Sequence, residues 1–321
     1  MSNGASSGWG PLAAAAAAGA ALGVLASIGY SQAASRTPAR GAGGELEERS
    51  TTSSAGGGTA AYETRKAVDE YLQFHFGADA DILPYPGIGP QSALSFTSRC
   101  ALLCEKYSEA AADFTGERGD TLALDVGCAV GGASMELARA FTDVLGIDYS
   151  HAFVAAAQGM ARDGARQYEA VLEGELRQTY TATVPTDIDR TRVRFMQGDA
   201  CDLPKSLPQF DAVLAANLLC RLPDPIKFIH RLPSLVKPGG VAVLVSPYSW
   251  LAAWTPKSNW LGGQLDKDGK AQRSADVLAQ LMTAAGFEMV HQEDVPFLIR
   301  EHVRKFQWGC SHAVVWRRLT Q

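Results

Sequence analysis

The 321-residue chain has little of what marks several common protein classes. Its six cysteines (Cys100, Cys104, Cys128, Cys201, Cys220 and Cys310) contain no C-x-x-C pair, and they are scattered through apolar segments. That pattern argues against a disulfide framework or a thiolate metal site, and for reduced thiols in a reducing compartment. The six histidines form no H-x-H, H-x-x-x-H or H-E-x-x-H spacing, so no pair is set to share a metal. Basic residues are also short. Lys and Arg total 29 against 34 Asp and Glu, a net charge of -5, which makes a poor nucleic-acid binder.

Long hydrophobic runs are nearly missing as well. Pro11 to Tyr30 is uncharged and long enough, at about 1.5 Å per residue, to cross a bilayer as a helix. Ala and Gly dominate it, however, and no Lys or Arg precedes Arg36 to form the positive region of a signal peptide. Residues 1–60 hold 12 of the 32 Gly and 16 Ala, with three charges of each sign. This stretch is expected to be a disordered or targeting leader, with a single membrane anchor at residues 11–30 or a signal peptide as alternatives. The globular protein then begins near residue 61, with a cytoplasmic or organellar location and membrane contact only through such an anchor.

From Tyr62 onward, periodicity becomes informative. Tyr62 to Phe76 reads as an amphipathic helix, followed by the Pro/Gly-rich DILPYPGIGPQ and a second helix from Ala93 to Tyr107. Strand-like runs then alternate with helical ones. The strands are Thr121 to Val126, Val144 to Asp148, Val193 to Gln197, Phe210 to Ala215 and Gly240 to Val245. The helices are Gly132 to Ala140, Ala152 to Gly159, Pro225 to Leu235 and Ala275 to Ala285, with final strands near Glu288 to Asp294 and Ala313 to Arg318. Short apolar strands separated by helices define an α/β fold with a doubly wound, mostly parallel sheet, expected here to have seven strands beneath an N-terminal helical lid. The lid is expected at about 61–118 and an insertion at about 160–192.

The first chemical motif follows the first strand: LALDV runs into G-C-A-V-G-G, where Gly127, Gly131 and Gly132 permit a tight turn before a helix. Gly127 and Gly131 are four apart, unlike the G-x-G-x-x-G of dinucleotide folds. Asp148 ends the second strand 23 residues after Asp125, suitably placed to accept hydrogen bonds from ribose hydroxyls. Asp199 closes the third strand, and the fourth ends at Asn217.

The series D-V-G-C-A-V-G-G, G-I-D-Y-S, Q-G-D-A, F-D-A-V-L-A-A-N and L-V-K-P-G-G resembles the class I S-adenosylmethionine-dependent methyltransferases. The resemblance implies S-adenosylmethionine as cofactor. It places Asp125, Gly127, Cys128 and Gly131 at the methionine end, Asp148 and Tyr149 at the ribose, and Asp199 with Ala200 at the adenine, with Asn217 adjoining. A narrower resemblance covers Tyr62 to Leu319. YETRKAVDEYLQFHFG, GIDYSHAFVAAA, YEAVLEGEL, RVRFMQGDACDLP, NLLCRLPDP and PFLIREHVRKFQWGCSHAVVWRR are similar to the 4-mercaptohistidine N1-methyltransferase family of ovothiol synthesis. This implies a small amino-acid thiol, 5-thiohistidine or its selenium analogue, as methyl acceptor. A methyltransferase for another small metabolite and a non-catalytic cofactor-binding module are the other readings. Gly132 departs from the pattern, where Arg or another larger residue is expected.

Methyl transfer needs alignment and exclusion of water rather than a covalent nucleophile. A base is needed only to hold the acceptor's tautomer or take a proton; His75, Tyr71 or Glu301 fits that role. The acceptor's carboxylate suits an Arg fork. Asn217 and Arg221 stand where acceptors bind in this fold, and Tyr71 and His75 lie one helical turn apart. Arg300, Glu301, Arg304 and Trp308 concentrate charge and an aromatic ring near the C-terminus, where solvated charge on a helix is the ordinary alternative. Tyr248, with Trp250 and Trp254, occupies the loop that roofs acceptor pockets. Catalytic roles are thus expected for Tyr71, His75 and Asn217. Substrate contacts are expected for Tyr71, His75, Arg221, Tyr248, Arg300, Glu301, Arg304 and Trp308.

Overall fold

A computed structural model describes residues 59–111 and 120–320. The Ala/Gly-rich stretch, including the proposed anchor at residues 11–30, lies outside the described residues, as do positions 112–119 of the expected lid. Among the described residues, no helix is long and apolar enough to cross a membrane.

The described residues begin with a 3-10 turn, Thr59–Glu63, followed by three helices, α1 (Arg65–Phe76), α2 (Asp79–Ile82) and α3 (Phe96–Tyr107). Thr64 starts α1 as an N-cap, its hydroxyl accepting from the Ala67 N–H at 3.1 Å. Next come β1 (Leu122–Val126), α4 (Gly132–Leu137), β2 (Asp143–Asp148) and α5 (His151–Asp163). The expected insertion is an antiparallel hairpin of β3 (Ala165–Glu173) and β4 (Leu176–Thr183). The series resumes with β5 (Val193–Gln197), β6 (Phe210–Ala216), α6 (Pro225–Leu235) and β7 (Val236–Ser246). After a small ribbon of β8 (Gln264–Leu265) and β9 (Ala271–Gln272) come α7 (Ser274–Ala284), β10 (Phe287–His302) and β11 (Lys305–Arg318).

The main sheet has seven strands in the order β10-β11-β7-β6-β1-β2-β5. Pairings from β7 across to β5 are parallel, while β11 runs antiparallel to both its neighbours. Both faces of these strands are covered, which explains their nearly unbroken apolar sequences. In β1, for example, Ala123 points into a core shared with Leu72, Phe96, Met135 and Phe153, while Leu124 and Val126 point into another shared with Phe228, Leu232, Met282 and Trp316. That alternation is the two-residue period of a strand sandwiched between helical layers. On α6, Phe228, Ile229, Leu232 and Leu235 recur on one face and are fully buried, which holds the helix on the sheet.

From β1 the chain steps outward to β2 and β5, then crosses back to lay β6 on the other side of β1. This reversal leaves a crevice beyond the carboxyl ends of β1 and β6, the place where open α/β sheets hold ligands.

The C-terminal segment excludes the alternative of a solvated helix. Phe297 to Trp308 is not helical: it forms the outer half of the β10–β11 hairpin, with pairing that continues to His302 and Lys305. Only His312 to Arg317 of β11 pair with β7, so the rest of the hairpin is an arm projecting past the sheet. Its side chains therefore alternate between two environments, and Arg300 and Glu301 face different ones.

Candidate active site

A cavity of about 510 Å³ fills the crevice at the β1/β6 reversal. This is within the usual range for a small-ligand site, about 300–1,000 Å³. The loop from Gly127 to Gly131 forms its floor because β2 holds it from beneath. Gly127 and Cys128 donate their N–H groups to the Ile147 carbonyl at 2.7 and 3.1 Å, and the Ala129 N–H donates to Asp148 Oδ2 at 2.8 Å. Gly131 turns the chain into α4 with φ +92°, and a Cβ there would fall 2.5 Å from Cζ of Phe195. Both constraints demand glycine.

Three carboxylates mark the strand ends. Asp125 is buried, accepts from Ser134 Oγ at 2.6 Å, and has its pKa pushed up to about 7 by burial, an effect that the Ser134 hydrogen bonds only partly offset. Asp148 accepts from Ala129 and, through Oδ1 at 2.9 Å, from the Ser150 N–H; burial nevertheless raises its pKa. Asp199 accepts from the Cys201 N–H at 2.8 Å. Asp125, Gly127, Cys128, Asp148, Tyr149, Asp199, Ala200 and Asn217 all line the cavity. Gly131 is absent from the lining and shapes the loop from behind. Acids at three successive strand ends, one deep and two nearer the rim, fit the ammonium, ribose diol and adenine edge of S-adenosylmethionine.

Asn217 ends β6 with φ +55°, an uncommon conformation for a residue with a side chain. Two bonds hold it there: its N–H donates to the Val245 carbonyl at 2.8 Å, and its Oδ1 accepts from Ser311 Oγ at 2.7 Å. The carbonyl end of the amide is thereby occupied, leaving the NH2 as the end available to a ligand.

The opposite wall comes from the N-terminal helices and two loops. Tyr71 and His75 both line the cavity from α1. Burial, with the neighbouring Tyr62 hydroxyl, pushes the Tyr71 pKa well above its ordinary value, so Tyr71 remains a protonated donor. Burial also lowers the His75 pKa to about 3, so the ring is neutral, and its Nδ1 accepts from the Gly132 N–H at 3.1 Å. The base role expected for these two residues is not what this arrangement offers: the Nδ1 lone pair of His75 is taken by the Gly132 N–H, and the Tyr71 hydroxyl stays protonated beside that of Tyr62. Arg221 reaches the wall from a 3-10 turn, Leu219–Arg221. Its Nη1 donates to the Cys220 and Ser249 carbonyls at 3.0 Å each, and its guanidinium lies 5.8 Å from the ring centre of Trp254.

Five expected substrate residues stand elsewhere. Tyr248 is turned away, its hydroxyl 3.0 Å from Nδ1 of His312. Arg300 is buried, donating to the Asp81 and Val171 carbonyls 5.8 Å from the ring centre of Tyr180, and so ties α2 and the β3–β4 hairpin to the arm. Glu301 pairs with Lys305 and accepts from Gln307 at 2.9 Å. Arg304 lies in the turn of the arm, and Trp308 is 60% exposed on it. Their neighbour Ile299 is the arm residue that lines the cavity.

Other lining residues were not singled out as site residues by the sequence. Tyr62 stacks on Trp254 with ring centres 5.0 Å apart and packs on Phe153 at 5.4 Å, closing the cavity above Ser150. Phe74, Phe96 and Thr97 extend the wall beside His75. An aromatic residue next to an acid just before a helix cap was the one available cue for Tyr62.

Fold and site together define an α/β protein with a cofactor-type crevice at its sheet reversal. Residues 98–292, more than half of the chain, match the family described as Methyltransferase domain, and the protein belongs to that family. Among solved structures, the [4+2]-cyclase SpnF is 19% identical with a TM-score of 0.50, covering 82% of this chain and 95% of its own. Magnesium protoporphyrin IX methyltransferase (ChlM) from Synechocystis PCC 6803 with bound SAH is 17% identical with a TM-score of 0.47, covering 81% and 97%. A putative methyltransferase from Bacillus halodurans C-125 is 16% identical with a TM-score of 0.43, covering 68% and 99%. At such identity the likeness to SpnF bears on the fold alone.

Proposed function

We propose that the protein transfers a methyl group from S-adenosylmethionine to an imidazole nitrogen of 5-thiohistidine, or of its selenium analogue. The observation that carries this reading is Arg221. Its hydrogen bonds go to neutral acceptors, among them the Cys220 and Ser249 carbonyls, so its charge is oriented on the cavity wall without being neutralised. A planar cation held in this way suits the carboxylate of an amino acid. Tyr62, Tyr71, Phe153 and Trp254 surround the same region with rings that cover a flat heterocycle and exclude water. The resemblance from Tyr62 to Leu319 supplies the particular acceptor.

When bound, S-adenosylmethionine supplies an electrophilic methyl group on a positively charged sulfur. The protein's own contribution is placement. Asp125, Asp148 and Asp199 fix the cofactor, Arg221 anchors the acceptor's carboxylate, and the Asn217 amide sits between the two regions. With neither Tyr71 nor His75 set to take a proton, the site favours an acceptor that arrives with its lone pair already free. The fold alone does not dictate methyl transfer, since it also serves the [4+2]-cyclase SpnF.

The test therefore follows the methyl group. The full chain is incubated with methyl-labelled S-adenosylmethionine and either 5-thiohistidine or histidine, with calorimetric titration of each ligand in parallel. Label is expected in thiohistidine, together with much tighter binding of thiohistidine than of histidine. Equal binding of the two would refute the substrate assignment, and failure to transfer label to any small acceptor would refute the enzymatic one.

A further inference from the structure

We propose that Gly132 and His75 form one device, in which the Gly132 N–H locks the imidazole in the tautomer whose Nε2–H is offered to the methyl acceptor. The first half is bond chemistry. A backbone N–H only donates, and this one lies 3.1 Å from Nδ1, so Nδ1 presents its lone pair. A neutral imidazole with a lone pair on Nδ1 carries its hydrogen on Nε2. No described residue accepts from Nε2, while the ring forms part of the cavity wall. That donor is therefore available to a ligand.

The second half is steric. Gly132 is the first residue of α4 and has no positive φ, so its backbone does not require glycine. A Cβ at this position, however, would fall 2.8 Å from both Cβ and Nδ1 of His75. A side chain here would push α1 and its imidazole off the loop. The glycine that departs from the expected family pattern is thus explained by its histidine partner 57 residues earlier.

The consequence concerns specificity and rests on the methyltransferase reading above. A donor fixed at Nε2 favours a heteroaromatic acceptor that carries an anionic or lone-pair atom on its ring in addition to the methylated nitrogen, as a ring thiolate does, and gives a ring lacking that atom nothing in exchange. His75 then holds the acceptor and takes no proton from it.

Nitrogen-15 correlation spectra of the full chain, labelled at histidine and recorded without acceptor, test the lock directly. His75, assigned through its loss in His75→Asn, is expected to show a protonated Nε2 and an unprotonated Nδ1, unchanged from about pH 5 to about pH 8. Proton density on Nδ1, or ordinary titration in that window, would overturn the proposal. Gly132→Ala is expected to restore titration by displacing the ring, whereas an unchanged His75 spectrum in that variant would refute the steric coupling. Calorimetry tests the donor role. His75→Asn keeps an oxygen facing Gly132 but deletes the Nε2 donor, so S-adenosylmethionine affinity is expected to hold while 5-thiohistidine affinity falls about tenfold or more. Unchanged thiohistidine affinity would overturn the donor role. If wild type binds no thiohistidine, the substrate assignment fails, and the lock stands or falls on the tautomer alone.

Discussion

The clearest energetic consequence of the site concerns Asp125. Its carboxyl group is 2% exposed, and burial holds its pKa at about 7 against 3.8 for an ordinary aspartate. Between those two values the folded protein keeps a proton that the unfolded chain releases. The contribution to stability is therefore full below about pH 4 and is lost as pH rises through 7, with an upper bound of about 4 kcal/mol at about 1.36 kcal/mol per unit. In the proposed complex the α-ammonium of S-adenosylmethionine pairs with the ionised carboxylate, so cofactor binding is expected to have the opposite sign. With a pKa of about 7, roughly 3% of the free protein is ionised at about pH 5.5 and roughly half at about pH 7, so apparent affinity is expected to tighten about fifteenfold over that interval. Titration calorimetry of wild type and Asp125→Asn across this range is the assay. The Asn side chain can still accept from Ser134, so the loop is retained while the titration disappears. A flat wild-type profile, or an equal slope in Asp125→Asn, would refute the assignment of this carboxylate to the ammonium.

Gly131→Ala forces a side chain into a left-handed conformation, costing about 1–2 kcal/mol. It also drives a methyl group to 2.5 Å from Phe195, costing about 1–3 kcal/mol more. Denaturant unfolding is expected to register a loss of about 2–5 kcal/mol, and an unchanged midpoint would contradict the packing described. Arg221→Lys replaces a fork seated over Trp254 with a point charge and is expected to raise the acceptor KM about tenfold with little effect on cofactor affinity, as steady-state kinetics would reveal. Arg304→Ala, at the turn of the hairpin arm, is expected to leave the acceptor KM unchanged in the same assay; a rise would bring the arm back into the site.

The parallel core was legible because its strands are buried on both faces and carry short continuous apolar runs. Val193 to Gln197 and Pro225 to Leu235 fall on the boundaries that the sequence suggests. The arm was not legible. Its run of Arg300, Glu301, Arg304 and Lys305 resembles solvated helix, since a strand projecting beyond its sheet no longer shows clean alternation of apolar and polar residues. Arg300 illustrates the cost: a charge in a sequence reads as exposed, yet here it is buried against backbone carbonyls contributed by α2 and β3. The acids of the site were readable because strand ends fix where they sit. The state of His75 was not, since it depends on a backbone N–H far along the chain.

That long-range dependence recurs across the site and gives the N-terminal segment a structural role. Helices begin with N–H groups that lack partners, and α4 and α5 both begin where cofactor-facing strands end. The N-terminal segment satisfies both. His75 takes the Gly132 N–H of α4, while the Glu63 carboxylate takes the His151 and Ala152 N–H groups of α5 at 3.0 and 3.1 Å. The Tyr62 carbonyl accepts from Ser150 Oγ at 3.1 Å, beside Asp148. Residues of the proposed acceptor wall are therefore bonded to the loops proposed to hold the cofactor. Withdrawing the segment would open the acceptor wall and simultaneously strip hydrogen bonds from the cofactor loops. Each ligand is therefore expected to favour the arrangement that the other needs, a reciprocal coupling carried by these four hydrogen bonds.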